Sequence, residues 1–347
     1  MIKAPYCVAS GNDVSGVVMR FASKARTLHY GDRRLRTPLL VPAFSSRAPL
    51  NKVGTPLSQC EINTYLAQIG EDVVGPALIS AFDLHHQNIP MPEPENFSFG
   101  AAPTFLDSGG YENYTLTDKS GEVTESRYFQ VLRSWPESLP IIAVNFDCED
   151  GDLGQQVHSA LSLPVTSTSG KLLLLKPGRD KENERSTGSL APIIAQIPKH
   201  AIALENLSAI GLTEKEAGQS FEQRIAQIKA LRRMLDDCGL AEKPIHVFGG
   251  LDPIRTPYYF LAGADIFDGT SWLRFAFDKG QAVYLDAHAS IQYPDKDIAL
   301  AEWLIRRQNL GDIVQLQISM RSFLASGQLG ELDLDESLLR RLFPEDV

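Results

Sequence analysis

Two aspartates, Asp107 and Asp268, end apolar runs of the chain, TFLD and ADIFD. Carboxylates paired across a small pocket suit cleavage of a glycosidic bond. One attacks or stabilises the sugar carbon while the other moves protons on the leaving group. Asp107 opens the string DSGGY, in which Gly109 and Gly110 let backbone approach a flat ligand closely and Tyr111 is placed to stack on it. The same string also reads as a tight strand-to-helix turn with Asp107 or Ser108 as N-cap. The residues alone leave both readings open.

Such distant positions need a scaffold that gathers them. Short apolar runs recur at residues 38–44 (PLLVPAF), 77–82 (ALISAF), 104–107 (TFLD), 141–147 (IIAVNFD), 171–176 (KLLLLK), 201–207 (AIALENL), 244–249 (PIHVFG) and 264–268 (ADIFD). Continuous runs of this kind suit strands buried on both faces of a parallel sheet. The intervening segments are long enough for crossover helices. The clearest helix follows Leu207: Thr213 and Glu216 form a capping box, Phe221, Ile225, Ile228, Leu231 and Leu235 recur at helical spacing, and Gly239 is a C-cap. Arg224, Lys229, Arg232 and Arg233 fall on its other faces and read as solvated surface.

The alternation predicts an α/β fold, a TIM (β/α)8 barrel over residues 37–310. An N-terminal antiparallel β-hairpin subdomain over 1–36, turning at Gly31-Asp32, would cap one barrel end. A C-terminal helical extension would cover 311–347. Residues 150–170 and 178–199 read as long loops. A barrel of this type works at the C-terminal ends of its strands. That places Asp83, Asp107, Asp147, Lys176, Glu205 with Asn206, Phe248, Gly249, Gly250 and Asp268 around one mouth. Buried charges are costly unless paired or functional, so the clustering itself points to a site.

Composition narrows the rest. Hydrophobic residues make up 43% of 347, enough for a large core. Cys7, Cys60, Cys148 and Cys238 are widely spaced and read as reduced thiols of a cytoplasmic protein. Residues 1–13 lack the apolar core of a signal peptide, and no run reaches membrane-helix length. The net charge of −10 argues against a generic nucleic-acid binder. Residues 1–36 nonetheless hold seven bases and two acids. They read as an edge hairpin kept soluble by Lys and Arg, or as a local phosphate-contacting patch. His85 and His86 read as solvated loop residues, His246 as a satisfied core histidine, Trp272 as a packing residue, and Arg274 as a possible phosphate contact.

Four stretches carry a family resemblance: ARTLHYGDRRLRTPLLVPAF, LDSGGYE, NFDCED and HVFGGLDPIRTPYYFLAGADIFDG. In them the chain resembles the tRNA-guanine transglycosylases, over roughly residues 20–310, the last stretch being most similar to the archaeal branch. The resemblance implies base exchange without net hydrolysis and without an organic cofactor. It makes Asp268 the nucleophile at the sugar C1′ and Asp107 the proton shuttle. Asp147 would read the base edge. Ser108, Gly109 and Gly110 would line the pocket, with Tyr111 and Phe248 against the faces of a 7-deazaguanine-type base. The polymer would be tRNA or, as in related DNA-modifying enzymes, DNA, and the family also implies a homodimer or a partner subunit.

Departures from the pattern matter as much. The family's zinc site uses three close cysteines and a histidine after the barrel. Here no cysteine follows Asp268, and Gln308 stands where the histidine would be, so no zinc is expected there. Lys176 falls near the family's pocket glutamine, and Glu205-Asn206 near its paired glycines. Either Lys176 and Glu205 pair across the mouth, or they read a different base. The functional alternatives are an active base exchanger, a non-catalytic partner subunit, and a nucleosidase or small-nucleoside exchanger.

Overall fold

The computed structural model describes residues 21–46, 61–94, 102–114, 116, 121–147, 151–178 and 189–344. Its first strands, β1 (Thr27–Tyr30) and β2 (Arg33–Arg36), form an antiparallel hairpin that turns at Gly31, where φ is +55°. Then come β3 (Leu39–Phe44), β4 (Leu78–Ser80), β5 (Thr104–Asp107), β6 (Ile141–Val144), β7 (Gly170–Leu174), β8 (Ala209–Thr213), β9 (Ile245–Phe248) and β10 (Ile266–Gly269). These eight pair in parallel and in chain order, and β10 closes on β3 with Asp268 opposite Val41. The fold is the expected TIM barrel.

The helices are α1 (Glu61–Ile69), α2 (Ala81–His85), α3 (Gly110–Tyr114), α4 (Glu125–Ser134), α5 (Leu153–Leu161), α6 (Ala191–Ile194), α7 (Ile197–Glu205), α8 (Phe221–Asp237), α9 (Thr256–Leu261) and α10 (Ser271–Arg274). After the barrel, a second hairpin of β11 (Phe275–Asp278) and β12 (Gln281–Tyr284) precedes α11 (Leu285–Gln292), α12 (Ile298–Ser326) and α13 (Glu336–Leu342). Helix α12 runs unbroken across residue 310 and lends Gln317 to the Leu40 N–H of β3 (2.8 Å). Asn309 on α12 is fully buried, accepting from Phe277 N–H and donating to the Trp272 and Phe275 carbonyls, which staples this helix beneath α10. Trp272 packs as expected, buried with its edge toward Phe44 and Nε1 on the Ala43 carbonyl. No helix among the described residues is long and apolar enough to cross a membrane.

One strand lies elsewhere than expected. Residues 197–205 are helix α7, and the barrel strand is β8, a few residues later. The AIAL run is apolar because it holds helix-forming alanines and an isoleucine, Ile202, that is 82% exposed, not because both faces are buried. Strand β8 escapes notice because it is short and carries Gly211, where a Cβ would sit 2.5 Å from the Phe248 ring. Two expected loops are also partly helical. Asp152 caps α5 through the Gln155 N–H, and Leu153, Gln156, Val157 and Ala160 line its buried face; α6 and the start of α7 occupy much of 189–199. Helix α8 buries Ile225, Ile228, Leu231 and Leu235 of the predicted stripe and ends at Asp237, with Gly239 (φ +78°) just past its Cys238 cap, but starts at Phe221 behind a Ser220–Gln223 capping box. Arg232 is fully buried, not solvated, and donates to Asp236 and to the Leu240 and Lys243 carbonyls.

The N-terminal hairpin closes the barrel's bottom. Leu28 and Tyr30 join the interior layer of Leu39, Ile142, Leu172, Ala209 and Ile266. A Cβ at Gly31 would meet Thr168 backbone at 2.7 Å, so only glycine allows this close approach. Arg26 and Asp265 lock the hairpin in place. Both are fully buried; Arg26 donates to Asp265 Oδ1 (2.9 Å) and to the Ala241 carbonyl, while Asp265 Oδ2 accepts from Ile245 N–H. Burial pushes the Asp265 carboxyl up more than Arg26 pulls it down. The pair's worth therefore lies in what breaking it costs. Asp265→Ala is expected to lose about 3–5 kcal/mol of stability in urea unfolding, and the double variant Arg26→Met with Asp265→Leu is expected to recover most of it.

Candidate active site

At the C-terminal ends of the strands a set of charged side chains faces inward. Asp107 ends β5, Asp147 lies just past β6, Lys176 past β7, Glu216 past β8, and Asp268 in β10. The register that pairs Ser80 with Asp107, and Asp268 with Val41, brings these strand ends to one mouth.

The DSGG string is a tight turn. Gly109 takes φ +92° and its N–H donates to Asp107 Oδ2 (3.1 Å). A Cβ at Gly110 would fall 2.1 Å from Asp147 Oδ2, so this glycine makes room for the neighbouring carboxylate. The Ser108 hydroxyl is buried and has no partner among the described residues. Tyr111 lies in α3, and its side chain falls outside the described residues, as do Cys7, Cys60 and Cys148.

The Asp107 carboxyl is pushed up to about 6. Burial contributes most, followed by the charge of Asp147, while the Gly109 N–H and Lys176 pull it back; Asp268 is close enough to push the same way as Asp147. Glu112, also within LDSGGYE, is buried with Ser45 donating to it (2.6 Å) and is raised by burial, Asp83 and Asp107. Asp83 is itself buried, accepting from Asn88 and the Ser46 N–H.

Lys176 lies between two acids, 3.3 Å from Asp147 Oδ2 and 3.3 Å from Glu216 Oε1. Burial pulls its ammonium down, but Asp147, Glu216 and Asp107 outweigh this and hold it above the ordinary lysine range. Gln156 grips the Lys176 backbone at both its N–H and its carbonyl. Glu216 is oriented by Thr213, whose hydroxyl donates to Oε2 (2.8 Å). The Thr213–Glu216 spacing that reads as a helix cap thus forms a turn that holds the lysine's second acid.

Of the two alternatives for Lys176 and Glu205, the pair across the mouth does not form. Glu205 ends α7 and, with Asn206, lines a groove of about 950 Å³ at the barrel's opposite end, beside His29 and Tyr30. Its backbone carbonyl accepts from Lys243. Glu205 is therefore removed from the site, because a helix returning from one strand to the next ends at the strands' N-terminal side. The groove itself is a poor candidate for chemistry. Its lysines, Lys171 and Lys243, are engaged by carbonyls at helix ends. The basic hairpin is at this far end too. Arg33, Arg34 and Arg36 are exposed there, a strand length of about 13–20 Å from the mouth, and do not form a groove beside it.

Asp268 is buried, at 6% exposure. His246 Nε2 lies 2.9 Å from its Oδ1, and the Gly249 N–H donates to the same oxygen at 3.3 Å. Gly249 has φ +73° and Gly250 packs on Val247, so the FGG turn aims a backbone donor at Asp268. Phe248 stacks on the His246 ring, centroids 3.8 Å apart at 23°. His246 Nδ1 is buried without a partner among the described residues. It is a core histidine satisfied on one side only, at a cost of about 1–3 kcal/mol. His86 Nε2–H donates to the Gly121 carbonyl (2.7 Å), tying down the segment after α2. Arg274 is exposed at the end of α10.

The arrangement offers a carboxylate held by two donors, a second carboxyl that exchanges protons near neutrality, and a paired acceptor and cation for a polar ligand edge. Residue types alone did not assign Glu216, read as part of a helix cap, nor Glu112, Gln156 or the His246–Asp268 contact to the site. Only the last had a local signal, a histidine two residues before the FG turn. The chain matches no family model and no curated protein.

Asp107 also carries a stability signature. A carboxyl whose folded pKa is raised favours the fold in its neutral form. That advantage is complete below its unfolded pKa and is lost as pH rises through about 6. Partial exposure screens some of it, leaving about 1–3 kcal/mol. Asp107→Asn, which retains an acceptor for the Gly109 N–H, is expected to melt above the wild type at pH 8. The gap should close toward pH 4 in thermal unfolding.

Proposed function

We propose that the chain is a base-exchange pentosyltransferase of the guanine transglycosylase type, acting on a nucleotide within tRNA or DNA. The observation that carries this reading is the unequal pair of aspartates at one barrel mouth: Asp268 held by two N–H donors, and Asp107 raised to about 6.

A displacement at C1′ needs both. Asp268 forms a bond to C1′ as the C1′–N bond breaks and its electron pair leaves on the base. Asp107, as the acid, supplies the proton that the departing base takes up. The incoming base then gives its N–H proton to Asp107, and its nitrogen bonds C1′ as the C1′–O bond breaks, returning Asp268 to a carboxylate. No water is consumed. Asp147 can accept from the N–H groups of a guanine-type edge, while Lys176 can donate to the adjacent carbonyl. The Ser108 hydroxyl, with no partner among the described residues, gains one from a bound ligand.

One observation favours a second reading, a non-catalytic partner subunit. Lys176 lies 3.3 Å from Asp147 Oδ2 and so occupies the acceptor that a base edge would use. The discriminating measurement is incorporation of labelled guanine into bulk tRNA and into DNA by the purified chain. Incorporation into one polymer is expected, lost by a factor of about 10⁴ or more in Asp268→Ala, with no covalent adduct trapped by Asp268→Asn. Wild-type protein that labels neither polymer would replace this reading with the partner subunit.

A further inference from the structure

We infer that His246 is a positioning residue for Asp268, fixing which carboxylate oxygen attacks and stabilising that carboxylate when it leaves. The inference rests on the base-exchange reading and deepens it.

The geometry begins with the ring. His246 lies in β9, fully buried inside the barrel. Phe248 stacks on one face, and Phe105, two residues before Asp107, meets it edge-on at 5.3 Å and 78°. The imidazole plane is therefore set by packing between the strand that carries Asp107 and the strand beside Asp268. Ring nitrogen Nε2 lies 2.9 Å from Asp268 Oδ1. In the base-exchange reading Asp268 is the nucleophilic carboxylate, whose oxygens only accept, so on a neutral ring Nε2 carries the proton and Nδ1 is the bare nitrogen. That nitrogen has no partner among the described residues. The other tautomer would bury a donor without a partner and set a lone pair against the carboxylate. An apolar side chain would fill this site without leaving a polar atom unsatisfied. What the histidine adds is a single directed donor.

The Gly249 N–H reaches the same oxygen at 3.3 Å. Both donors converge on Oδ1, which assigns the attack on C1′ to Oδ2. In the glycosyl-enzyme, Oδ1 is the ester carbonyl oxygen. When the incoming base bonds C1′, the C1′–Oδ2 electron pair returns to the carboxylate and its charge spreads onto Oδ1, where two donors already lie. His246 therefore acts on orientation in the first step and on departure in the second.

The test compares His246→Leu, which removes the donor, with His246→Gln, whose side-chain amide can place an N–H near the Nε2 position. Guanine exchange is followed in the polymer that the wild type labels. His246→Leu is expected to lower kcat about a hundredfold while KM for the polymer stays within about threefold, and adduct should accumulate because its release is slowed. His246→Gln is expected to recover to within about tenfold of wild type. A folded His246→Leu with wild-type kcat, or a His246→Gln as slow as His246→Leu, would overturn the assignment. If His246→Leu does not fold, His246→Gln against wild type decides, and a loss beyond tenfold overturns it. Wild-type protein that exchanges nothing refutes the base-exchange reading instead. The pair is then judged by ¹⁵N histidine spectra: an Nε2–H tautomer that changes in Asp268→Ala supports it, and an Nδ1–H tautomer in the wild type refutes it.

Discussion

Closure of eight parallel strands is the constraint on which the rest of the molecule depends. Once β10 pairs with β3 the sheet has no edge, and its lumen is narrow enough to be filled by side chains such as Phe105, Ile142, Leu172 and Ile266. Charges on these strands then have two places to go, the bottom or the mouth. Each end handles them differently. At the bottom, Asp265 is neutralised by Arg26 and roofed by the hairpin. At the mouth, acids outnumber cations among the described residues, and their charges act on one another.

That imbalance gives the mouth its chemistry. Asp147 is matched by Lys176, which is shared with Glu216, so this part of the site has a lasting ion pair at its centre. Among the described residues, Asp107 has no such cation of its own. Burial and the nearby Asp147 move it toward neutrality, while a single Gly109 N–H and the more distant Lys176 hold it back. Asp268 is treated in a third way, by two N–H donors on one oxygen. Three aspartates on one rim thus have three environments, which is how one pocket can hold a nucleophile, a proton carrier and an acceptor together.

These environments oppose stability. Above about pH 6 a carboxyl raised to that value, together with an imidazole nitrogen and a buried hydroxyl that lack partners among the described residues, disfavours the folded state. They lie within a few residues of the strand ends, on a barrel whose outer helices and C-terminal helix supply the offsetting apolar contacts. Helix α12 participates directly, since Asn309 and Gln317 hold the strands and turns that flank Asp268. The oppositely charged hairpin closes the bottom, which separates its exposed Arg33, Arg34 and Arg36 from the acidic mouth.

Much of this was legible in the residues themselves. Apolar runs marked seven of the barrel strands, the GD turn marked the hairpin, and the positions of Asp107, Asp147, Lys176 and Asp268 at run ends marked the mouth, because strand burial and turn chemistry are local properties of the chain. What failed was also physical. An apolar run does not state its period over seven residues, so AIALENL was indistinguishable from a strand, and with it Glu205 was assigned to the wrong end of the barrel. The partners of Lys176, the donor that His246 gives Asp268 and the raised pKa of Asp107 all depend on contacts between segments tens to more than a hundred residues apart. Spacing along the chain carries no information about such contacts. Only the closed barrel, by setting which strand ends meet and how deeply each is buried, decided them.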